Sequence, residues 1–255
     1  MILRRVIKHF RQQEWTAIFL DFVIVVLGVF VGLQVQNWNE ARLAEKTEQI
    51  YIKQLREDLA ANIEDFKQSI AYYRQVKTNG LAALSVLKAQ PEKSGVQFLV
   101  DVYQASQSLP REMGRDTYDE ILSTGSALSN AVVRKKLANF YRSMIASTVR
   151  MQYIPPYRET IRRVLPYRVQ EAIRVACNDV ITTGKNNEAK ITLPEKCQPV
   201  LSSEATSEAI QALIKQDVLQ DLNRRLSDLD NKLSAAHLII KRIKLLDAFL
   251  ESEYP

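Results

Sequence analysis

One apolar run limits what this chain can become. It lies between Trp15 and Trp38, the only two tryptophans among 255 residues, and reads TAIFLDFVIVVLGVFVGLQVQN from Thr16 to Asn37. A helix rises about 1.5 Å per residue, so the two indoles sit roughly 34 Å apart, close to the ~30 Å hydrocarbon layer of a bilayer plus its interfaces. Indole rings favour the headgroup boundary, being apolar bodies with one polar N–H. Residues 15–38 are therefore read as a single transmembrane helix, with Trp15 and Trp38 at the membrane interfaces and the lipid bilayer as first partner.

Two other readings of this run fare worse. A cleaved secretory signal needs a small-x-small site after its apolar stretch, and Gln34-Val-Gln-Asn-Trp-Asn39 offers none. A buried core helix does not account for the flanking tryptophans or for Arg4, Arg5, Lys8 and Arg11 in the basic tail 1–14. Those four cations outnumber Arg42, Lys46 and Lys53 beyond the span, a small positive-inside bias that places the N-terminus in the cytoplasm.

The two cysteines support that orientation. Cys177 and Cys197 close a polar segment without strong periodicity. Disulfides persist in the periplasm or outside the cell, and a loop of this length contributes about 3 kcal/mol when bridged. Two unrelated thiols are the alternative. With the bridge, the expected location is the bacterial inner membrane with a periplasmic C-terminal domain.

The span has one distinctive face. Asp21, Gly28, Gly32 and Asn39 are spaced 7, 4 and 7, with Gln36 continuing the row. Gly28 and Gly32 form a Gly-x-x-x-Gly, which lets helix backbones approach closely in lipid. An aspartate within a span is costly unless it meets a partner, a polar cavity or the interface. This face is read as a helix–helix interaction surface, for a homo-oligomer or another membrane protein. A basic tail, a span with Asp21 in its cytoplasmic third and a large exported part also resemble the layout of MotB/ExbD/TolR-type subunits of proton-driven stators. That alternative implies Asp21 as proton carrier, although those subunits have α/β exported domains.

Beyond the span, the chain reads as all-α. It holds only 7 glycines, far below the usual ~7% of residues. Ile52, Leu55, Leu59, Ile63, Phe66, Ile70 and Tyr73 make one helical stripe. Expected segments are a stalk and first bundle helix over 39–90 with a break at Gly80, and a helical domain over 91–177 with Pro166 as a kink. A disulfide-closed loop follows over 178–202, then a long helix over 203–255. In the last, Leu219, Leu222, Leu226, Leu229, Leu233, Ala236, Ile240 and Ile243 alternate by 3 and 4. That seam suits antiparallel pairing with the first helix or dimerisation, giving an elongated, coiled-coil-like bundle.

Gly28-Val-Phe-Val-Gly-Leu-Gln-Val-Gln-Asn-Trp-Asn-Glu-Ala-Arg42 and Tyr118-Asp-Glu-Ile-Leu-Ser-Thr-Gly-Ser-Ala-Leu128 resemble two signatures of a family of uncharacterised bacterial single-span membrane proteins. The resemblance covers about a tenth of the chain. It implies an inner-membrane protein with a helical domain and supplies no activity. The cysteine pair lies outside it.

Catalysis needs a constellation of groups, and the inventory is thin. His9 lies in the tail and His237 on the last helix, and no Cys-x-x-Cys, Gly-rich phosphate loop or Gly-x-Ser-x-Gly elbow occurs. No enzyme activity, metal or cofactor is expected. Net charge is +6, but without a clustered basic module nucleic acid is not an expected partner. The best ligand candidate is an anion site at Arg158, Arg162, Arg163 and Arg168, with Arg174 beyond. The plainer reading is a basic helix that exposes these arginines while Ile161, Leu165 and Ile173 face the core. Arg111, Arg115 and Asp116 form a second, weaker candidate. The chain is thus expected to be a non-enzymatic, membrane-anchored interaction or sensing module with no ligand named.

Overall fold

A computed structural model describes residues 15–125, 128–184 and 189–254. The basic tail with Arg4, Arg5, Lys8 and Arg11 lies outside the described residues. The chain divides into two compact units, Met1–Lys53 and Gln54–Pro255. It is mostly helical, and its first element, α1, runs without interruption from Trp15 to Lys88.

The first unit is the apolar part of α1. Residues 24–47 are exposed without exception, and the helix is long and apolar enough to cross a membrane.

The second unit is built from the rest of α1 and seven further helices with a small hairpin. The helices are α2 (Val96–Ala105), α3 (Asp116–Thr124), α4 (Ala131–Gln152), α5 (Pro156–Val164), α6 (Tyr167–Ala176), α7 (Ser203–Lys215) and α8 (Val218–Glu253). Strands β1 (Val180–Thr183) and β2 (Ala189–Thr192) pair antiparallel, with Ile181 opposite Ile191. The expected stripe on α1 is realised from Leu55 through Leu59, Phe66, Ile70 and Tyr73, all buried; Ile63 is half-buried. On α8, Leu222, Leu226, Leu229, Ala236 and Ile243 are buried as the 3–4 spacing requires, and Leu246 continues the row in place of Asp247.

Within this unit α1 and α8 run antiparallel. Arg56 pairs with Asp247 at 2.7 Å and Glu251 at 3.2 Å, Tyr73 meets Lys232, and Lys77 pairs with Asp230. Helix α4 packs along α8 as well.

Four local expectations need correction. Gly80 does not break α1. A Cβ there would stand 3.0 Å from Leu226 Cδ2 and 3.6 Å from Ala105 Cβ, so the glycine marks a close helix approach. Pro166 separates α5 from α6 rather than kinking one helix, because proline disfavours helical backbone at Leu165, which is extended at φ −71°, ψ 132°. The segment 203–255 is two helices, divided at Asp217, which adopts a left-handed φ of 49°. The disulfide-closed segment carries the β1–β2 hairpin, so the unit is not wholly helical.

Other signals read correctly. Asn130 caps α4, its Oδ1 accepting from the Val132 and Val133 N–H groups. Gly125 ends α3 at φ 65°, the left-handed position that glycine occupies without a Cβ penalty.

Candidate functional site

On the apolar helix, Asp21, Gly28, Gly32, Gln36 and Asn39 are all exposed, as are Trp15 and Trp38. A Cβ at Gly28 or Gly32 would meet nothing within 4 Å. Gln36 Nε2 donates to Glu40 Oε1 at 2.9 Å, one turn on. The face is thus a strip of small and polar groups with no described residue packed upon it.

In the second unit, Cys177 and Cys197 form a disulfide with their Cα atoms 5.2 Å apart. The loop they close is fastened to the helices at two points. Gln104 on α2 donates from Nε2 to the Cys177 carbonyl at 2.8 Å. Gln75 on α1 engages Leu193, donating to its carbonyl at 3.2 Å and accepting from its N–H at 3.0 Å.

The four arginines proposed as an anion site do not converge. Arg168 pairs with Glu208 on α7, and Arg163 is exposed. Arg158 and Arg162 do meet: both donate to Gln107 Oε1, at 2.8 Å and 3.4 Å. Arg162 also lies 3.5 Å from the Tyr103 ring centroid. Burial brings the Arg162 guanidinium down to about 10; the Tyr103 hydroxyl opposes that, while the positive charges of Arg158 and Arg174 add to it. Arg174, which is exposed, instead sits over the Tyr167 ring. In the second candidate, Arg115 makes a bidentate pair with Asp119, at 2.8 and 2.9 Å from Nε, beside the stacked Tyr118–Tyr141 pair. Arg111 reaches Asp65 at 3.5 Å. These cations are engaged within the fold.

The most buried charges escaped the sequence reading. Arg225 is 0% exposed and Lys232 3%. Arg225 donates from Nε to the Ala105 carbonyl at 3.0 Å and from Nη2 to Gln107 at 2.6 Å, at the C-terminus of α2. Lys232 donates to the Met151 and Tyr153 carbonyls, at 2.9 and 2.8 Å, at the C-terminus of α4, and to Tyr73 Oη at 3.3 Å. Helix C-termini carry unsatisfied carbonyls and partial negative charge, so each cation finds both a dipole and acceptors. All three ammonium protons of Lys232 are placed, which offsets much of its desolvation. Burial, aided by the like charge of Arg225, still lowers Lys232 to about 8.

The signal for this pair was present. Arg225 follows Leu222 by three, and Lys232 follows Leu229 by three, so both fall on the leucine seam rather than opposite it.

The surface between α4 and α8 differs in character. α4 carries Arg134, Lys135, Lys136, Arg142 and Arg150 and no carboxylate. Val132, Phe140 and Leu245 line a groove of about 720 Å³ there, with Lys135, Lys136 and Arg242 around it.

Compared with known proteins, the chain gives no match to a family model and no significant match to a curated protein or a solved structure.

Proposed function

We propose that this chain is a single-span membrane protein whose helical unit serves as a non-enzymatic interaction or sensing module within a homo- or hetero-oligomeric inner-membrane complex. The observation that carries the reading is the exposed apolar stretch of α1. Phe19, Leu20, Phe22, Ile24, Val25, Phe30 and Leu33 are all exposed, an apolar surface too large to leave in water. Lipid is the solvent that suits it, and a helix satisfies its own backbone there.

The Asp21–Gly28–Gly32–Gln36–Asn39 strip is the docking face of this helix. Small residues favour close helix contact where lipid supplies no hydrophobic drive, and polar groups gain from a partner. The disulfide supports an oxidising compartment for the second unit, with the N-terminus in the cytoplasm. The basic groove between α4 and α8 offers the second unit a contact surface of its own.

The test is purification of the full chain from native membranes in mild detergent, comparing the wild type with Gly28→Leu/Gly32→Leu. The reading expects extraction only with detergent, cysteines that resist alkylation until reduced, and a complex whose size falls in the double variant. A protein released by alkaline wash, or free thiols in the native state, overturns it.

A further inference from the structure

A polar cleft of about 620 Å³ lies in the second unit, between α1, α2 and the segment that follows β2. Its lining includes Asn79, Gln97, Gln104, Glu195, Lys196 and Gln198. Four of these six are carboxamides, and for three the hydrogen bonds fix which way the amide points. Asn79 Nδ2 donates to the Gln75 carbonyl at 2.9 Å, and Gln97 Nε2 donates to Asp101 Oδ1 at 2.9 Å. Gln104 Nε2 donates to the Cys177 carbonyl at 2.8 Å. Each partner is an oxygen that only accepts, so each amide must present nitrogen to it and keep its own oxygen for something else.

Gln104 makes this more than a polar surface. It is 3% exposed, and among the described residues its Oε1 accepts no hydrogen bond. A buried acceptor left unpaired is costly, and native interiors rarely leave one. The wall opposite is anchored: the Cys177–Cys197 disulfide and the Gln75–Leu193 pair hold the segment carrying Glu195, Lys196 and Gln198. The cleft is therefore preorganised, and its oriented groups are acceptors awaiting donors.

We propose that this cleft binds a neutral sugar. Three oriented amide oxygens call for a ligand with several donors close together, which vicinal hydroxyls supply. Glu195 and Lys196 oppose each other in charge, so the lining selects neither an anion nor a cation. No aromatic ring lines the cleft, so the ligand is held by hydrogen bonds without a stacking platform, and the affinity is millimolar. The proposal concerns the second unit alone and stands apart from the membrane assembly proposed above.

The experiment uses the full chain in nanodiscs of neutral phospholipid, titrated with maltose and with N-acetylglucosamine and followed by saturation-transfer NMR. Glucuronate, glucosamine and N-acetylalanine methylamide serve as charged and peptide-like comparisons. At least one neutral sugar is expected to saturate, with the comparisons weaker. Gln104→Met, which removes the buried acceptor, weakens that sugar by about ten-fold. Gln104→Met also loses the bond to Cys177, so Gln97→Ala, at an exposed position, is the fold-preserving variant; it weakens binding about three-fold with an unchanged melting temperature.

Failure of both neutral sugars to saturate overturns the proposal. So does equal or tighter binding of a comparison compound, or binding untouched by both variants. A crystal soaked in sugar that shows one water on Gln104 Oε1 and no sugar also overturns it.

Discussion

Gln75 holds Leu193 by both ends of one carboxamide, its Nε2 on the Leu193 carbonyl at 3.2 Å and its Oε1 on the Leu193 N–H at 3.0 Å. A side chain of α1 thus imitates a strand edge for the residue that follows β2. Thirteen residues earlier on the same helix, Asn62 repeats the device on Gly114, donating at 2.9 Å and accepting at 2.8 Å. Two loops distant in sequence are fastened to one helix by amides that match backbone hydrogen bonding in both directions.

Gln75→Ala removes one such clasp. The loss is expected to be about 1–2 kcal/mol, since it frees two backbone groups at a partly buried site. Hydrogen exchange checks it: the Leu193 amide speeds up, while amides in α4 and α8 follow only the fall in global stability.

Opening the Cys177–Cys197 bridge by Cys177→Ser/Cys197→Ser relaxes the same loop. Its partners are 20 residues apart, and the unfolded chain regains freedom equivalent to about 3 kcal/mol. Denaturant titration of the full chain reads this directly. Protection of the β1–β2 amides is expected to disappear first, because that hairpin has little else to hold it.

Lys232 gives the unit a pH signature. Its ammonium falls from the ordinary 10.5 to about 8 when buried. Between those values the unfolded chain binds more protons than the folded one, so stability rises with pH above about 8 and is lost as pH falls back through that value. The buried phenols of Tyr72 and Tyr157, pushed up chiefly by desolvation, act in the opposite sense above about pH 10. Lys232→Met is expected to flatten the slope between pH 8 and 10 in urea titrations. Lys232→Ala at pH 7 costs about 2–4 kcal/mol, leaving the Met151 and Tyr153 carbonyls unpaired beside a cavity.

Gly80→Leu tests the close approach of α1 to α8. The added side chain enters space already taken by Leu226 Cδ2 and Ala105 Cβ. Overpacking of this kind costs about 1–3 kcal/mol, and a lowered melting temperature with unchanged helical circular dichroism is the expected readout.

Much of the helical architecture was legible because its signals are local. The apolar run, the 3–4 spacing on α8, the Asn130 cap and the Gly125 stop each act within a few turns. The misses have a common cause: they depend on what another segment does. Gly80 reads as a breaker until Leu226 is seen against it. Asp217 ends α7 without glycine or proline nearby, so no residue type announces the turn. Alternation in 180–192 is too short to separate a hairpin from a polar loop. Of the site residues, Arg158 and Arg162 converge on Gln107, whereas Arg163 and Arg168 point elsewhere. Gln104 carries no sequence signal, since its meaning lies in a single unpaired oxygen.

Arg225 and Lys232 stand seven residues apart on α8, about 10.5 Å along its axis. Each touches the end of a different helix, so the pair works like a two-point gauge. Leucines spaced by three and four look nearly alike after a shift of one heptad, and apolar contacts alone would tolerate the slip. The cations do not: a heptad shift toward either end leaves at least one helix end without its donor and strands a charge in apolar surroundings. What appears in the fold as two costly buried charges acts in assembly as the mark that fixes how far α8 slides before it stops.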